Sequence, residues 1–141
     1  MEPNSGKPSD ILLVRDAVPS DLNYVFATFL KGLYHGNEWY RQMDKETYFT
    51  ESRKWLSMLI VEGAQIKIAC LLDEPDTFVG YSILSPNFQT VHWVHVKKDW
   101  RKLGVARMLL PAYPAFYSHY TELGKSLAFK IEGIRFNPFA K

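Results

Sequence analysis

The sequence contains a single cysteine, Cys70, which lies in the apolar run IKIACLL. A disulfide framework within the chain is therefore excluded, and the thiol is expected to behave as a small buried hydrophobe. Long apolar runs are also missing, because none approaches the roughly 20 residues that cross a bilayer. The N-terminal segment MEPNSGKPSD is polar and has no signal-like apolar core. We therefore expect a soluble cytoplasmic protein that does not enter a membrane.

An excess of charge of one sign is absent as well. Seventeen basic residues face fifteen acidic ones, and the formal net charge is +2. Proteins whose main task is to bind nucleic acid carry a much stronger basic excess. We therefore do not expect a nucleic-acid partner, and any positively charged site must be local.

The composition that is present indicates one compact domain. The chain has 141 residues, of which 47% are hydrophobic and 15% aromatic, and this is enough to build one core. Residues 1–9 contain Pro3, Gly6 and Pro8 and are predicted to form a flexible tail, which leaves residues 10–141 as the domain. Residue patterns predict strands at 11–14, 65–72, 77–84, 90–97, 116–121 and 134–139, and helices at 22–34, 44–61, from about 102 onward and at 123–130.

The predicted fold class is α/β (α+β), with a mixed, mostly antiparallel sheet of about six strands and about four flanking helices. Short turns join the three middle strands, which favours an antiparallel meander. Ser20 or Asp21 is predicted to cap the first helix, and Gly63 to end the second.

The central motif is TVHWVHVKKDWRKLGVARMLL, from Thr90 to Leu110. A β-branched and aromatic run is followed by a basic turn and a leucine-rich segment, which predicts a strand, a turn and a helix. A helix start exposes unpaired amides that attract anions, and Gly104 lacks the Cβ that would keep a phosphate away. Five basic residues against one acid, Asp99, make this turn locally positive; they are Lys97, Lys98, Arg101, Lys102 and Arg107.

The spacing of Val96, Arg101, Gly104 and Ala106 resembles the acetyl-CoA signature of the GCN5-related N-acetyltransferases (GNATs). The resemblance covers nearly the whole chain. It implies acetyl-CoA or CoA as co-substrate, no metal, and a thioester arm held where a later strand splays away from the strand before the turn. It also implies that the Val94 amide polarises the thioester carbonyl. The cofactor contacts expected from the motif are Val94, His95, Val96, Arg101, Lys102, Leu103, Gly104, Val105, Ala106 and Arg107.

Amine acetylation also needs a group that accepts a proton and a group that protonates the departing thiolate. His92 is the candidate base, because a histidine titrates near neutral pH and some family members carry one at this position. The alternative is a hydrogen-bonded core or cleft histidine. Strand alternation predicts that His95 points to the opposite face. The group that protonates the thiolate is expected to differ from the one common in the family, because Phe129 stands at the usual tyrosine position. Tyr120 or water is the candidate to take its place.

The stretch from Tyr34 to Tyr40 is rich in aromatic and polar groups, and in the family this region shapes the acceptor site. Tyr34, His35 and Trp39 are therefore the candidate substrate residues, while the alternative is that the aromatic rings cover the core. A metal at His35 is not expected, because no second ligand falls at suitable spacing.

Two functions follow from the resemblance. The first is an acyl-CoA-dependent N-acyltransferase that acetylates a primary amine of a small molecule or protein. The alternative is a catalytically weak GNAT-like protein that binds CoA or acts on a macromolecular partner as an inhibitor or adaptor. Either would be a monomer or a homodimer.

Overall fold

A computed structural model of the protein describes residues 10–119 and 133–141. In this part of the chain six strands form one sheet in the order β1-β2-β3-β4-β5-β6. The strands are β1 (Leu12–Asp16), β2 (Gln65–Leu71), β3 (Phe78–Leu84), β4 (Thr90–Val96), β5 (Phe116–Tyr117) and β6 (Arg135–Phe136). The helices are α1 (Leu22–Gly36), α2 (Glu38–Arg41), α3 (Lys45–Val61) and α4 (Val105–Leu109).

The sheet is mixed, as predicted. β1 to β4 pair antiparallel and form the expected meander, whereas β5 pairs parallel with both β4 and β6. The sequence-based fold class is confirmed: a mostly antiparallel sheet of six strands with four helices. The last two strands are shorter than predicted, and the proposed helix at 123–130 and tail at 1–9 lie outside the described residues.

Two acidic residues begin the long helices in different ways. Asp44 caps α3 as its position suggests, because its carboxylate accepts a hydrogen bond from the Thr47 amide at 3.0 Å. Asp21 occupies the N-cap position of α1, but its side chain does not cap that helix. It accepts instead from the Val18 amide at 2.8 Å and from the Arg15 guanidinium. The carboxylate therefore anchors the end of β1 to the start of α1.

Helices cover both faces of the sheet. α1 and α3 lie on one face, over a core that includes Phe29, Leu33, Leu56, Ile68 and Tyr81. On the other face α4 packs over a smaller cluster that includes Leu12, Val79, Val94, Val105 and Leu109. Cys70 is buried and free, as expected for a small core residue.

A β-bulge at His92 interrupts the alternation of β4. Ile83 pairs with Trp93, but its neighbour Leu84 pairs with Val91, so that His92 is the extra residue. His92 and Trp93 consequently both face α1 and α3, where the His92 ring lies 5.5 Å from that of Trp55. His95 packs on Tyr81 on this same face. The prediction that His92 and His95 point to opposite faces is therefore wrong, because simple alternation does not allow for the bulge.

The segment after β4 is a loop for longer than predicted. Lys98–Trp100 forms a 3-10 turn, and α4 begins only at Val105, three residues after the predicted start. Gly104 caps the helix in the left-handed conformation, with φ +87°, and Lys102 has φ +65°. α4 ends at Leu109 because Leu110 precedes Pro111 and takes an extended conformation, with ψ 149°.

A membrane-spanning helix and a metal-binding group are both absent from residues 10–119 and 133–141. No helix there has the length and apolarity to cross a membrane. No group of three or more histidine, cysteine, aspartate or glutamate side chains there is placed to hold a metal ion.

Candidate active site

β4 and β5 share a short ladder. It consists of Thr90 with Phe116 and Val91 with Tyr117, and one further bond runs from the Ser118 amide to the Val91 carbonyl at 3.1 Å. Beyond Val91 no described residue of β5 pairs with β4. We call this edge of β4, which the described residues leave unpaired, the β4–β5 gap.

The backbone of Val94 faces this gap. The Lys97 amide donates to the Val79 carbonyl at 2.8 Å, which directs residues 97, 95 and 93 toward β3. Val94 and Val96 must then direct their backbone groups away from β3. Consistently, the Val96 carbonyl accepts from Arg101 Nε at 2.9 Å. No partner for the Val94 amide exists among the residues that the structure describes, and this donor points toward the β4–β5 gap.

Residues 97–107, here called the basic loop, follow directly. The five cations of this loop have no carboxylate within ion-pair distance in the described chain. The Leu103 and Gly104 amides make no hydrogen bond to described backbone groups. The Val105 and Ala106 amides belong to the first turn of α4, which has no intrahelical acceptors. Nothing lies within 4 Å of a Cβ position on Gly104, so the loop is open to solvent. The loop therefore carries amides without a described backbone partner and cations without a described carboxylate partner.

Three polar residues form a hydrogen-bonded chain at the end of β5, in which His92 and Ser118 are buried and His119 is half-buried. Nδ1 of His92 lies 2.7 Å from Oγ of Ser118, and that oxygen lies 2.9 Å from Nδ1 of His119. His92 is 2% exposed, and its Nε2 has no hydrogen-bond partner in the described part of the chain. Burial lowers the pKa of His92 to about 4, so the ring is neutral at pH 7. For His119, burial, and next the charge of His92, lower the pKa to about 4 as well.

An open cleft of about 490 Å³ lies on the same side of the sheet as α1 and α3. His119 lines it, and the His119 ring packs against Trp55 at 4.5 Å and Phe29 at 5.8 Å. The histidine chain therefore extends from the bulge in β4 to this cleft. The remaining lining residues are Leu33, Tyr40, Glu51, Ser52, Lys54 and Met58.

The predicted substrate residues do not line this cleft. Tyr34 is half-buried and packs against Tyr48 and Phe49 in the core. His35 is exposed and Trp39 is 66% exposed. From this stretch only Tyr40 reaches the cleft, where burial raises its pKa.

Sequence reasoning missed Trp55, Ser118 and His119 as site residues. Trp55 fits the apolar periodicity of α3, and nothing in the sequence distinguishes it from core residues. Ser118 and His119 follow a two-residue strand whose pairing with β4 is set only by the tertiary fold. The candidate acid Tyr120 and its counterpart Phe129 lie outside the described residues.

Solved structures of other proteins share this architecture. A proposed acetyl transferase from Pyrococcus furiosus is 14% identical and superposes with a TM-score of 0.56, over 89% of this chain and 81% of that one. The fold is that of the GCN5-related N-acetyltransferases. A GNAT from Rhodopseudomonas palustris is 18% identical, with a TM-score of 0.47 over 70% of this chain and 61% of its own.

A phosphinothricin acetyltransferase of the GNAT superfamily from Sinorhizobium meliloti, solved in complex with acetyl-CoA, also aligns with this chain. It is 18% identical, with a TM-score of 0.47 over 70% of this chain and 55% of that one. No family model and no curated protein matches the sequence. The GNAT assignment therefore describes the fold.

Proposed function

We propose that the protein is an acyl-CoA-dependent N-acyltransferase, which moves an acetyl group from acetyl-CoA to a primary amine of a small molecule or a protein. The observation that carries the proposal is the orientation of the Val94 amide, which faces the β4–β5 gap just before the basic loop. A fixed amide donor stabilises a carbonyl oxygen that gains negative charge during attack by an amine. Because the donor is already oriented, it needs no rearrangement when that charge develops.

The basic loop suits the phosphates of a CoA thioester. The free amides from Leu103 to Ala106 would hold the diphosphate, and Arg101, Lys102 and Arg107 would add positive charge. Bound acetyl-CoA would supply the acetyl group as a thioester. The spacing along the chain suits a ligand with a thioester at one end and phosphates further along. Val94 precedes Gly104 by ten residues, so the amide proposed to bind the thioester carbonyl and the proposed phosphate site lie at opposite ends of one segment.

His92 is the proposed base. Its Nε2 is buried beside the gap and has no described partner, so a neutral ring can accept a proton there. A pKa of about 4 makes it a weaker base than an exposed histidine. It is therefore suited to take a proton while the amine nitrogen bonds to the carbonyl carbon, when the remaining N–H protons become acidic. Tyr120 stays the candidate for protonating the thiolate.

The acceptor is proposed to approach from the side of α1 and α3. The cleft beside His119 is walled by Phe29, Tyr40, Trp55 and Met58, which suits an amine with an apolar body. Tyr34, His35 and Trp39 remain candidate contacts for a larger acceptor, such as a protein, because they lie on the segment that leads to Tyr40.

A second candidate function is binding of CoA without efficient transfer, by a protein that inhibits or adapts a macromolecular partner. Two observations favour it: the lowered pKa of His92, and Phe129 at the position where the family often has tyrosine. Both functions require acetyl-CoA binding, so they differ only in turnover.

Calorimetric titration with acetyl-CoA tests the binding step. We expect binding in the micromolar to millimolar range that weakens with added salt and in Lys102→Ala and Arg107→Ala. Lys45→Ala is the matched control, because Lys45 is an exposed cation on α3, away from the loop. Absence of binding would exclude both functions. If binding occurs, a thiol-release assay with a panel of amines separates them: amine-dependent release that falls in His92→Ala supports the enzyme.

A further inference from the structure

The hydroxyl of Ser118 sits between two imidazole rings and has one proton to donate. Both rings are neutral at pH 7, so each Nδ1 carries either a hydrogen or a lone pair. If both rings donated to Ser118, its hydroxyl proton would have no acceptor among the described groups. The hydroxyl must therefore donate to one ring and accept from the other.

Two arrangements satisfy this condition. In the first, His92 Nδ1–H donates to Ser118 and Ser118 donates to His119 Nδ1, which leaves a lone pair on Nε2 of His92. In the second, His119 donates to Ser118 and Ser118 donates to His92, which leaves a hydrogen on Nε2 of His92. That atom is buried without a described partner, and unpaired buried N–H donors are rarer than unpaired acceptors. The first arrangement is therefore the resting one.

We propose that Ser118 and His119 are positioning residues, which hold His92 in the Nδ1–H form and connect it to the cleft as a proton relay. The inference rests on the proposed function, in which His92 accepts the amine proton. The geometry that supports it is the pair of contacts at 2.7 Å and 2.9 Å, together with the placement of His119 on the wall of the open cleft.

The proton steps balance. A proton from the amine bonds to Nε2 of His92, while the Nδ1 proton of His92 passes to Ser118. The hydroxyl proton of Ser118 passes to Nδ1 of His119, and His119 releases its Nε2 proton to water in the cleft. Three protons each pass to the next group in the chain, and the fourth passes from His119 to water. His92, Ser118 and His119 therefore gain no net charge. The second arrangement results. To restore the first after product release, His119 takes a proton from water in the cleft at Nε2, each shift within the chain is reversed, and His92 gives its Nε2 proton to water that enters the emptied site.

Nitrogen-15 NMR of histidine-labelled protein at pH 7 tests the resting arrangement without any substrate. We expect His92 in the Nδ1–H form and His119 in the Nε2–H form. In Ser118→Ala the His92 signals should move toward a mixture of both forms. Ser82→Ala is the matched control, because Ser82 is equally buried and its hydroxyl donates to the Leu109 carbonyl at 2.8 Å, away from the histidines. Wild-type His92 with its hydrogen on Nε2 would overturn the proposal.

Turnover gives the second readout. With an amine that the wild-type protein acetylates, Ser118→Ala should lower kcat by about 10²-fold with little change in KM, and should reduce the solvent isotope effect. Ser118→Thr keeps the hydroxyl and should recover most of the rate, and Ser82→Ala should leave it unchanged. An active wild-type enzyme with an unaltered Ser118→Ala variant would refute the relay alone. Failure of every amine would refute the proposed function instead, and the NMR result would still decide the tautomer.

Discussion

Gly80 on β3 approaches the backbone of His95 so closely that a Cβ at position 80 would lie 2.5 Å from the His95 carbonyl oxygen. Gly80 is paired with Val96, the residue whose own carbonyl binds Arg101 on the other side of β4. Position 80 therefore has no room for a side chain, because a Cβ there would meet the backbone of His95 and Val96 just before the basic loop.

We expect Gly80→Ala to destabilise the protein by about 1 to 3 kcal/mol, the usual range for overpacking. The atom that the new methyl group would meet is the His95 carbonyl oxygen, and a backbone atom in a sheet cannot move away as the end of a flexible side chain can. Urea unfolding measures the effect. Gly36→Ala is the control, because a Cβ on Gly36, at the end of α1, meets nothing within 4 Å; alanine should leave stability unchanged or raise it by up to about 1 kcal/mol. Equal stability of Gly80→Ala and the wild type would contradict the close contact.

Gly104 has a left-handed backbone conformation, as Gly133 does. Comparing alanine variants of the two separates the effect of backbone strain on stability from the effect on acetyl-CoA binding. Alanine at φ +87° should cost about 1 to 2 kcal/mol of stability, although its methyl group meets no neighbour. Gly133→Ala provides a matched comparison, because Gly133 has φ +83° and equally open surroundings outside the basic loop. Both variants should lose similar stability, but only Gly104→Ala should weaken acetyl-CoA binding, by about tenfold or ~1.4 kcal/mol. Similar affinities in the two variants would count against phosphate binding at this loop.

Acid should destabilise the fold through His92 and His119. Both have pKa values of about 4 in the folded protein, while the unfolded chain titrates near 6.5, so the unfolded state binds more protons between these values. Stability is thus fully present above pH 6.5 and falls as the pH drops toward 4. The loss should reach up to about 1.4 kcal/mol per pH unit for each histidine.

Urea unfolding between pH 7 and 4.5 measures this dependence. Because His92→Asn removes one titrating group, its stability should fall less steeply than that of the wild type. His35→Asn replaces an exposed histidine and should retain the wild-type slope. Parallel curves for all three proteins would mean that the buried histidines do not determine the acid response.

The ion pair between Arg15 and Asp21 should contribute more to stability than an exposed pair. The two guanidinium contacts measure 2.8 Å and 3.1 Å, and Asp21 is 4% exposed. We expect Asp21→Ala to cost about 2 kcal/mol, because the Val18 amide loses its acceptor and Arg15 keeps only the Asp16 and Pro75 carbonyls in place of a carboxylate. Glu62→Ala, which removes an exposed partner 3.8 Å from Lys141, should cost less than about 0.5 kcal/mol. Thermal unfolding compares the two variants, and equal losses would argue against the buried pair.

Local patterns predicted much of this fold. The ends of β2 and β3 were right to within one residue, and α3 begins one residue after its predicted start at Asp44, because periodicity depends on neighbouring residues. The start of α4 was placed too early. Residues 101–104 include good helix formers, but Gly104 and Lys102 take positive φ values that helix propensity does not anticipate.

The candidate site was predictable only in part. The basic loop was identifiable because its basic residues, its glycine and the helix start are consecutive in the sequence. The cleft was not, because Trp55 and His119 come from distant elements and meet only when α3 packs on the sheet. The direction of His95 was wrong because a one-residue bulge reverses which face the following residues occupy.

By itself, the sequence determined the order and type of the elements and the position of the positive loop, since these depend on side chains close together in the chain. The tertiary structure alone decided that β5 pairs with β4 at Thr90 and Val91 and that His92, Ser118 and His119 meet. Strand pairing and contacts across 26 residues depend on how whole elements pack, and no local pattern encodes that geometry.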